Sequence, residues 1–446
     1  MKTIFVITLF VFCTSLFMYC TKTDQVIGGS TPTTPPPAPV STTELISYKT
    51  AMAPTIDGSV ENLWDSAAKL SIVPTVPDPG NNLFTGYNGD QYPATIQSMY
   101  DDQNIYFLVQ YADNTNSVYV ATWYFDPAKK LWTQEPTSNT YDVNGQITRA
   151  GFGEDKLAML WNIDFSTPLF ASQTCYASCH VFVPYTNFSV TPTVAVSNAS
   201  SGNHYTNGAS EKIDMWWVHL SRDVIFNQMD DNYQDWAGGP AVTNLVGGSG
   251  NGRHVDGISV SGASGTWPFA PTYTAVTPAQ GASNNRQNLK LNGNGTSVTV
   301  PAWIIPDASN YYYILATDTL PGGKAAKITA VDSSGVLTYS GGTIDPNSGT
   351  DYQRTGDAVT GGDGPKCFPS YIASPLLGGR ADITCVALYT GSGWIIEYTR
   401  KLKTGDTMKQ DVDFSSLQDQ PFGVAIWNKS NNQHGIQPNL LLKFKK

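Results

Sequence analysis

From about position 45 onward, apolar and polar residues alternate with a period of two in one segment after another. That is the pattern of strands with one face against a core. Residues 94–109 (ATIQSMYDDQNIYFLV) hold two such runs, broken by Asp101, Asp102, Gln103 and Asn104. This predicts a hairpin. The runs at 118–125, 156–163, 296–300, 311–316, 394–399 and 422–427 read as strands, and 439–444 closes the series. A helical segment is predicted only near 213–222. No fixed-period repeat is present, which argues against a propeller or solenoid. The expected fold is all-β, an antiparallel β-sandwich of two layers with long loops and few short helices. It forms one domain over 45–446, its middle inserted as loops and extra strands. Loops rich in Gly, Asn and Ser, such as 247–262, are longer than a compact core needs, and such loops commonly carry binding sites.

Composition agrees with this pattern. Charged residues make up only 14% of the 446 positions, while 40 glycines and 12% aromatics suit strands and tight turns. The net charge of −10 argues against a nucleic-acid partner, because phosphate binding needs clustered Lys and Arg.

The N-terminus looks like a targeting segment. Lys2 precedes an apolar run over 4–18 that stops at Cys20, and Thr21 to Asp24 are polar again. This resembles a bacterial lipoprotein signal over 1–19, with Cys20 as the acylated lipid anchor, although Tyr19 stands where a small residue is expected. Ordinary cleavage is the alternative. Residues 20–44, rich in Pro, Thr and Ser, read as a flexible tether. The expected location is the cell envelope, as an exported lipoprotein on the outer-membrane or periplasmic face.

The chemistry concentrates at 174–180, TCYASCH. Two thiols followed at once by a histidine suit covalent haem attachment. Cys175 and Cys179 would add across the two vinyl groups, and the His180 imidazole would reach the iron. Three residues, Tyr176, Ala177 and Ser178, separate the cysteines instead of the usual two. A Cys175–Cys179 disulfide, a zinc site and a redox dithiol are the competing readings; the histidine favours haem. Cys13 would leave with the signal. Cys367 and Cys385 are expected to form a structural disulfide.

Six segments in order resemble the haem-binding domain typified by the gamma subunit of ethylbenzene dehydrogenase. They are APTIDGSVENLWDSA (53–67), SMYDDQNIYFLVQYAD (98–113), GEDKLAMLWNID (153–164), IDMWWVHLSRD (213–223) with MDD at 229–231, WIIEYTRKLKTGD (394–406) and FGVAIWN (422–428). The opening segment is shared with carbohydrate-binding-module-like sandwiches. In the gamma subunits a Met and a Lys hold haem non-covalently. This sequence departs at both positions: His180 would replace the Met, and His434, in NNQHG, is the expected second iron ligand.

The resemblance implies a haem site in this domain; the motif makes it a covalent c-type haem, with iron held by His180 and His434 in place of the family's ligands. Of the other histidines, His219 within WWVHLSR is expected near the haem without ligating it, and His204 and His254 are expected in solvent. Trp161, Trp216 and Trp217 line the pocket or fill the core, with Trp216 carried as a cofactor contact. Met99, Met159 and Met215 are alternative sixth ligands, each also explained by packing. The leading function is an envelope electron carrier, not an enzyme in its own right, whose partner is a redox protein or a membrane-associated oxidoreductase complex. The alternatives are a non-haem carbohydrate- or surface-binding module and a haem-based enzyme or sensor.

Overall fold

The computed structural model describes residues 40–78, 84–142, 146–178, 185–187, 194–196, 204, 206, 210–235, 253–257, 259–261, 272–274, 281–306, 308, 311–347 and 367–445. The expected anchor Cys20 and the motif residues Cys179 and His180 lie outside them.

Ten strands carry the architecture: β1 (Glu44–Lys49), β2 (Ala94–Tyr100), β3 (Asn104–Ala112), β4 (Glu154–Asn162), β5 (Ile213–His219), β6 (Gln228–Gln234), β7 (Ile383–Tyr389), β8 (Gly393–Lys401), β9 (Gln420–Ser430) and β10 (Gly435–Lys445). The β2–β3 hairpin forms where the alternation breaks. Asp101 Oδ1 accepts from the Gln103 and Asn104 amides, each at 2.7 Å, which closes the turn through the side chain.

Hydrogen bonding runs β2–β1–β10–β9–β4–β5–β6–β7–β8–β3 and returns to β2. The fold is therefore the expected all-β sandwich, with its two layers joined at both edges, which removes unpaired edges from these ten strands. Eight of its neighbours-in-ring contacts are antiparallel, but β1 pairs parallel with both β2 and β10. More than 40 residues separate β1 from β2, enough chain for the crossover that a parallel pair requires.

Side chains in phase on the ten strands fill the interior. Phe107, Leu157, Met159, Trp161, Trp216 and Phe422 belong to this core. Trp161 stacks on Phe422 at 5.0 Å and tilts against Trp216 at the same distance. Burying side chains of this size contributes about 1.5–3 kcal/mol each. A second, smaller core of Trp123, Phe125, Trp132, Ile304, Leu337 and Phe368 is built by short strands inserted between β3 and β4 and between β6 and β7.

Three expectations are corrected. The helix expected near 213–222 is instead a strand, β5. Its residues are buried on both faces, so the run IDMWWVH reads as almost continuously apolar, and such short runs do not separate strand from helix by periodicity. Cys385 is not disulfide-bonded to Cys367: it is a buried thiol in β7, pushed up in pKa by burial and then by the nearby Asp223 charge, whereas Cys367 adjoins Phe368 of the second core. His254 is not in solvent. It lies in a strand, Arg253–Val255, that pairs with β6, and its Nε2 is 3.0 Å from Asp235 Oδ1.

Among the described residues, no helix is long and apolar enough to cross a membrane.

Candidate functional site

Four adjacent strands, β9–β4–β5–β6, present a second face away from the core, and a cavity of about 70 Å³ lies against it. Its walls are Ala158 and Leu160 of β4, Met215 and Trp217 of β5, Gln234 of β6, and Gly423, Ala425 and Trp427 of β9. Each of these residues alternates with a core residue on its own strand, as the pleat requires. The wall is mostly apolar, with a few polar groups placed on it, the composition of cofactor pockets in general.

The first cysteine of TCYASCH reaches this cavity through a local packing device. Helix α1 (Phe170–Gln173) and the 3-10 turn Thr174–Ala177 fold onto β9 and β10. Gly423 permits the approach, since a Cβ there would lie 3.3 Å from the Thr174 Cβ. Cys175 and Ser178 thereby join the lining, together with Arg253, His204 and His434.

His434 is held in a defined state. Its ring stacks on Trp427, with centroids 4.3 Å apart and planes inclined by 25°. Nδ1 lies 2.6 Å from the Asn432 carbonyl oxygen, which can only accept, so Nδ1 carries the proton and donates. Nε2 is left with its lone pair. Burial, partly opposed by that hydrogen bond, pushes the imidazole pKa down to about 4, and the Lys156 charge adds to the depression. The side chain is therefore neutral at pH 7. A ring nitrogen pinned by a carbonyl while the other stays free is how metal-ligating histidines are oriented.

The aromatic row continues along the sheet. Trp427 stacks on Trp217 at 5.9 Å, and Trp217 lies 4.4 Å from the His219 ring. Lys156 Nζ sits 5.8 Å from the Trp217 ring and 5.6 Å from the Trp427 ring while donating to the Ser430 and Asn431 carbonyls at 3.1 Å. Burial pulls the lysine down to about 8. The Arg253 guanidinium covers the other ring contact of Trp217, 4.5 Å from its centroid.

The structure brings some sequence-predicted residues together and separates others. Cys175 and His434, 259 positions apart in the chain, line one cavity. His219 shares the Trp217 face of β5 but is not part of the cavity wall. Its Nδ1 lies 2.7 Å from Asp223 Oδ2, and burial followed by the Arg222 charge holds its imidazole well below the usual pKa. Trp216, expected as a cofactor contact, points to the opposite face, into the core, and its neighbour Trp217 occupies the cavity wall. His204 lines the cavity rather than standing in solvent. Of the three methionines, Met215 alone reaches it, its sulfur accepting from Gln234 Nε2 at 3.5 Å. Met159 accepts from the Tyr398 hydroxyl in the core, and Met99 packs in a separate cluster around Trp64.

The sequence reading missed Trp427, Gln234 and Arg253. A signal existed for Trp427 alone: in FGVAIWN, Phe422, Val424 and Ile426 share one phase, and Trp427 is the bulky aromatic in the other.

The donors present fit a haem. The wall offers an imidazole, a thioether and a thiol, apolar surface for a macrocycle, and a guanidinium that could meet carboxylates. The Trp217 indole N–H and the Gln234 Oε1 are buried without a hydrogen-bond partner, a state that the core indoles of Trp161 and Trp216 share.

An all-β sandwich with a mostly apolar cavity on the outer face of one layer is thus the class that fold and site define. The chain belongs to the ethylbenzene dehydrogenase family, whose model matches residues 61–438. No curated protein matches it. Among solved structures it is similar to a family 9 carbohydrate-binding module from Caldicellulosiruptor kristjanssonii in complex with glucose, at 7% identity and a TM-score of 0.25, over 90% of this chain and 95% of that one. The same module in complex with cellotriose gives 8% identity and a TM-score of 0.25, over 90% and 93%.

Proposed function

We propose that the chain is a haem-binding electron-transfer subunit whose cofactor sits in the cavity on β9–β4–β5–β6, attached through Cys175 and ligated by His434. The observation that carries this reading is the convergence of Cys175 with a histidine whose tautomer and protonation state suit an iron ligand. Family membership is compatible with a non-catalytic subunit that works beside an oxidoreductase complex. Cys179 would supply the second thioether and His180 the other axial ligand, as the motif implies.

When bound, haem would supply a one-electron iron couple. The chain's own residues do the rest. The Asn432 carbonyl and the Trp427 ring hold the His434 plane, so its Nε2 lone pair keeps one direction. Ala158, Leu160 and Ala425 exclude water, which favours the less charged state of an enclosed group. Arg253 places a positive charge at the rim for a carboxylate. Two protein ligands would leave no open position, which favours electron transfer over oxygen chemistry. An exported, lipid-anchored chain would use thioethers to retain a cofactor that could otherwise diffuse away.

The test is a pyridine haemochrome spectrum of protein matured in a host with a cytochrome c assembly system. A thioether-type alpha band that survives denaturation supports the reading. Absence of any haem would transfer the chain to the non-haem surface-binding reading.

A further inference from the structure

Behind the cavity wall, on the core side of β5 and β6, lies a group of carboxylates that the haem reading does not use. Asp214 of β5, Asp231 of β6 and Asp411 of the loop after β8 each offer a carboxylate oxygen, and these oxygens all lie within 4.8 Å of one another. Asp214 and Asp231 are fully buried, Asp411 nearly so. Asp256 adds a fourth: its amide donates to the Asp231 carbonyl at 3.3 Å, and burial and the neighbouring Asp411 carboxyl push its own carboxyl well above the usual range.

Arg400 is the cation paired with this group. Its Nη1 donates to Asp214 Oδ2 at 2.9 Å and reaches Asp231 Oδ2 at 3.5 Å. The Val412 amide also donates to Asp214 Oδ2, at 2.8 Å, and the Thr404 hydroxyl donates to Asp411 Oδ2. These donors all reach Oδ2 atoms. The Oδ1 atoms of Asp214, Asp231, Asp256 and Asp411 are buried without a hydrogen-bond partner. One guanidinium cannot balance four carboxylates, and orphaned buried acceptors of this kind are rare.

We propose that Asp214, Asp231 and Asp411, with Asp256 beside them, form a buried site for a hard divalent cation, calcium by its ligand chemistry. The donors are oxygen alone, with no His or Cys in the group, which disfavours zinc and softer metals. Magnesium keeps several waters and uses one or two carboxylates, whereas calcium takes many protein oxygens from a flexible set of segments. Asp411 also borders a surface depression with Thr404, Asp406 and Lys409, which provides a way in. Burial pushes the Asp214, Asp231 and Asp256 carboxyls upward in pKa, so protons compete with the cation for the same oxygens.

The cation would tie four segments together. Asp214 adjoins Met215 of the cavity wall, and Asp256 follows the strand that carries Arg253. The site would thus rigidify the wall from behind, without resting on the haem assignment.

The experiment uses the full chain, stripped with EDTA and desalted, and titrated with calcium chloride by calorimetry, with thermal unfolding in parallel. One equivalent should bind, and millimolar calcium should raise Tm by about 5 °C, since a ligand selective for the folded state stabilises it. Asp411→Asn should weaken binding by about tenfold or more, as loss of one charged ligand does, while its Tm in EDTA should not fall. If that variant fails to fold, Asp256→Asn is the second test, with the same expectation. No heat and no Tm change up to millimolar calcium would overturn the proposal. Undiminished calcium binding in both variants would also overturn it, by placing the ion elsewhere. Haem-free protein serves equally, so this result and that of the haemochrome spectrum are separate.

Discussion

Two tryptophans adjacent in sequence, Trp216 and Trp217, end on opposite sides of β5. Trp216 has no exposed surface, lies 5.7 Å from Phe107 and 5.0 Å from Trp161, and carries the Arg400 guanidinium 4.8 Å from its ring. Trp217 faces the cavity, between Trp427 and His219, with Arg253 above it. The inner face is a packed interior that includes a buried ionic group. The outer face is a wall that lines a cavity, while indole N–H groups on both faces, Trp161 and Trp216 within and Trp217 without, are buried without a hydrogen-bond partner. Residue type is nearly the same on both faces; what differs is whether other strands have already filled the space in front. A face closed by its own fold serves stability, and a face left open serves a ligand.

The sharpest way to break this comparison is at Arg400. Arg400→Met should destabilise the chain by about 3–5 kcal/mol, because it strands buried carboxylates without a partner. Urea unfolding measures this, and adding Asp214→Asn should recover part of the loss. Next, Trp216→Ala should cost about 3–5 kcal/mol as a core cavity, whereas Trp217→Ala should cost about 1 kcal/mol and instead reduce the haem retained after purification. Equal losses of stability in the two variants would erase the distinction between the faces.

A spectroscopic effect comes third. In haem-loaded protein, His434→Ala should convert a low-spin spectrum to a high-spin one, with little change in unfolding midpoint. An unchanged spectrum would move the ligand to Met215 or His204, which share the wall.

The smallest effect is on pH dependence. His434 has a folded pKa near 4 against an ordinary value of 6.5, so the folded state binds fewer protons there than the unfolded one. Its contribution is present above pH 6.5 and is lost as pH falls from 6.5 towards 4. In haem-free protein, His434→Gln should flatten that acid limb by on the order of 1 kcal/mol, the side chain being only partly buried. A limb unaltered in the variant would show that His434 is solvated.

Much of the fold was legible because its signals are local. The β2–β3 hairpin was readable from alternation around Asp101–Asn104, and β9 and β10 from alternation near the C-terminus. The β5 strand was not, since a run buried on both faces loses its period. The parallel placement of β1 was equally hidden, because pairing between segments this far apart leaves no trace within either.

For the site, the sequence by itself determined which chemistry the chain holds: thiols next to a histidine in TCYASCH, a lone histidine in NNQHG, and tryptophans paired in WWVH. Only the tertiary structure decided which of these meet. Cys175 and His434 share a cavity because α1 folds onto β9 across Gly423, and Trp217 rather than Trp216 lines it because strand register selects one phase. Asp214, Asp231, Asp256 and Asp411 converge from four segments, none of which alone marks a site. Side-chain type is a property of a position, but convergence depends on strand order and register, and these are set by which faces the whole chain can bury at once.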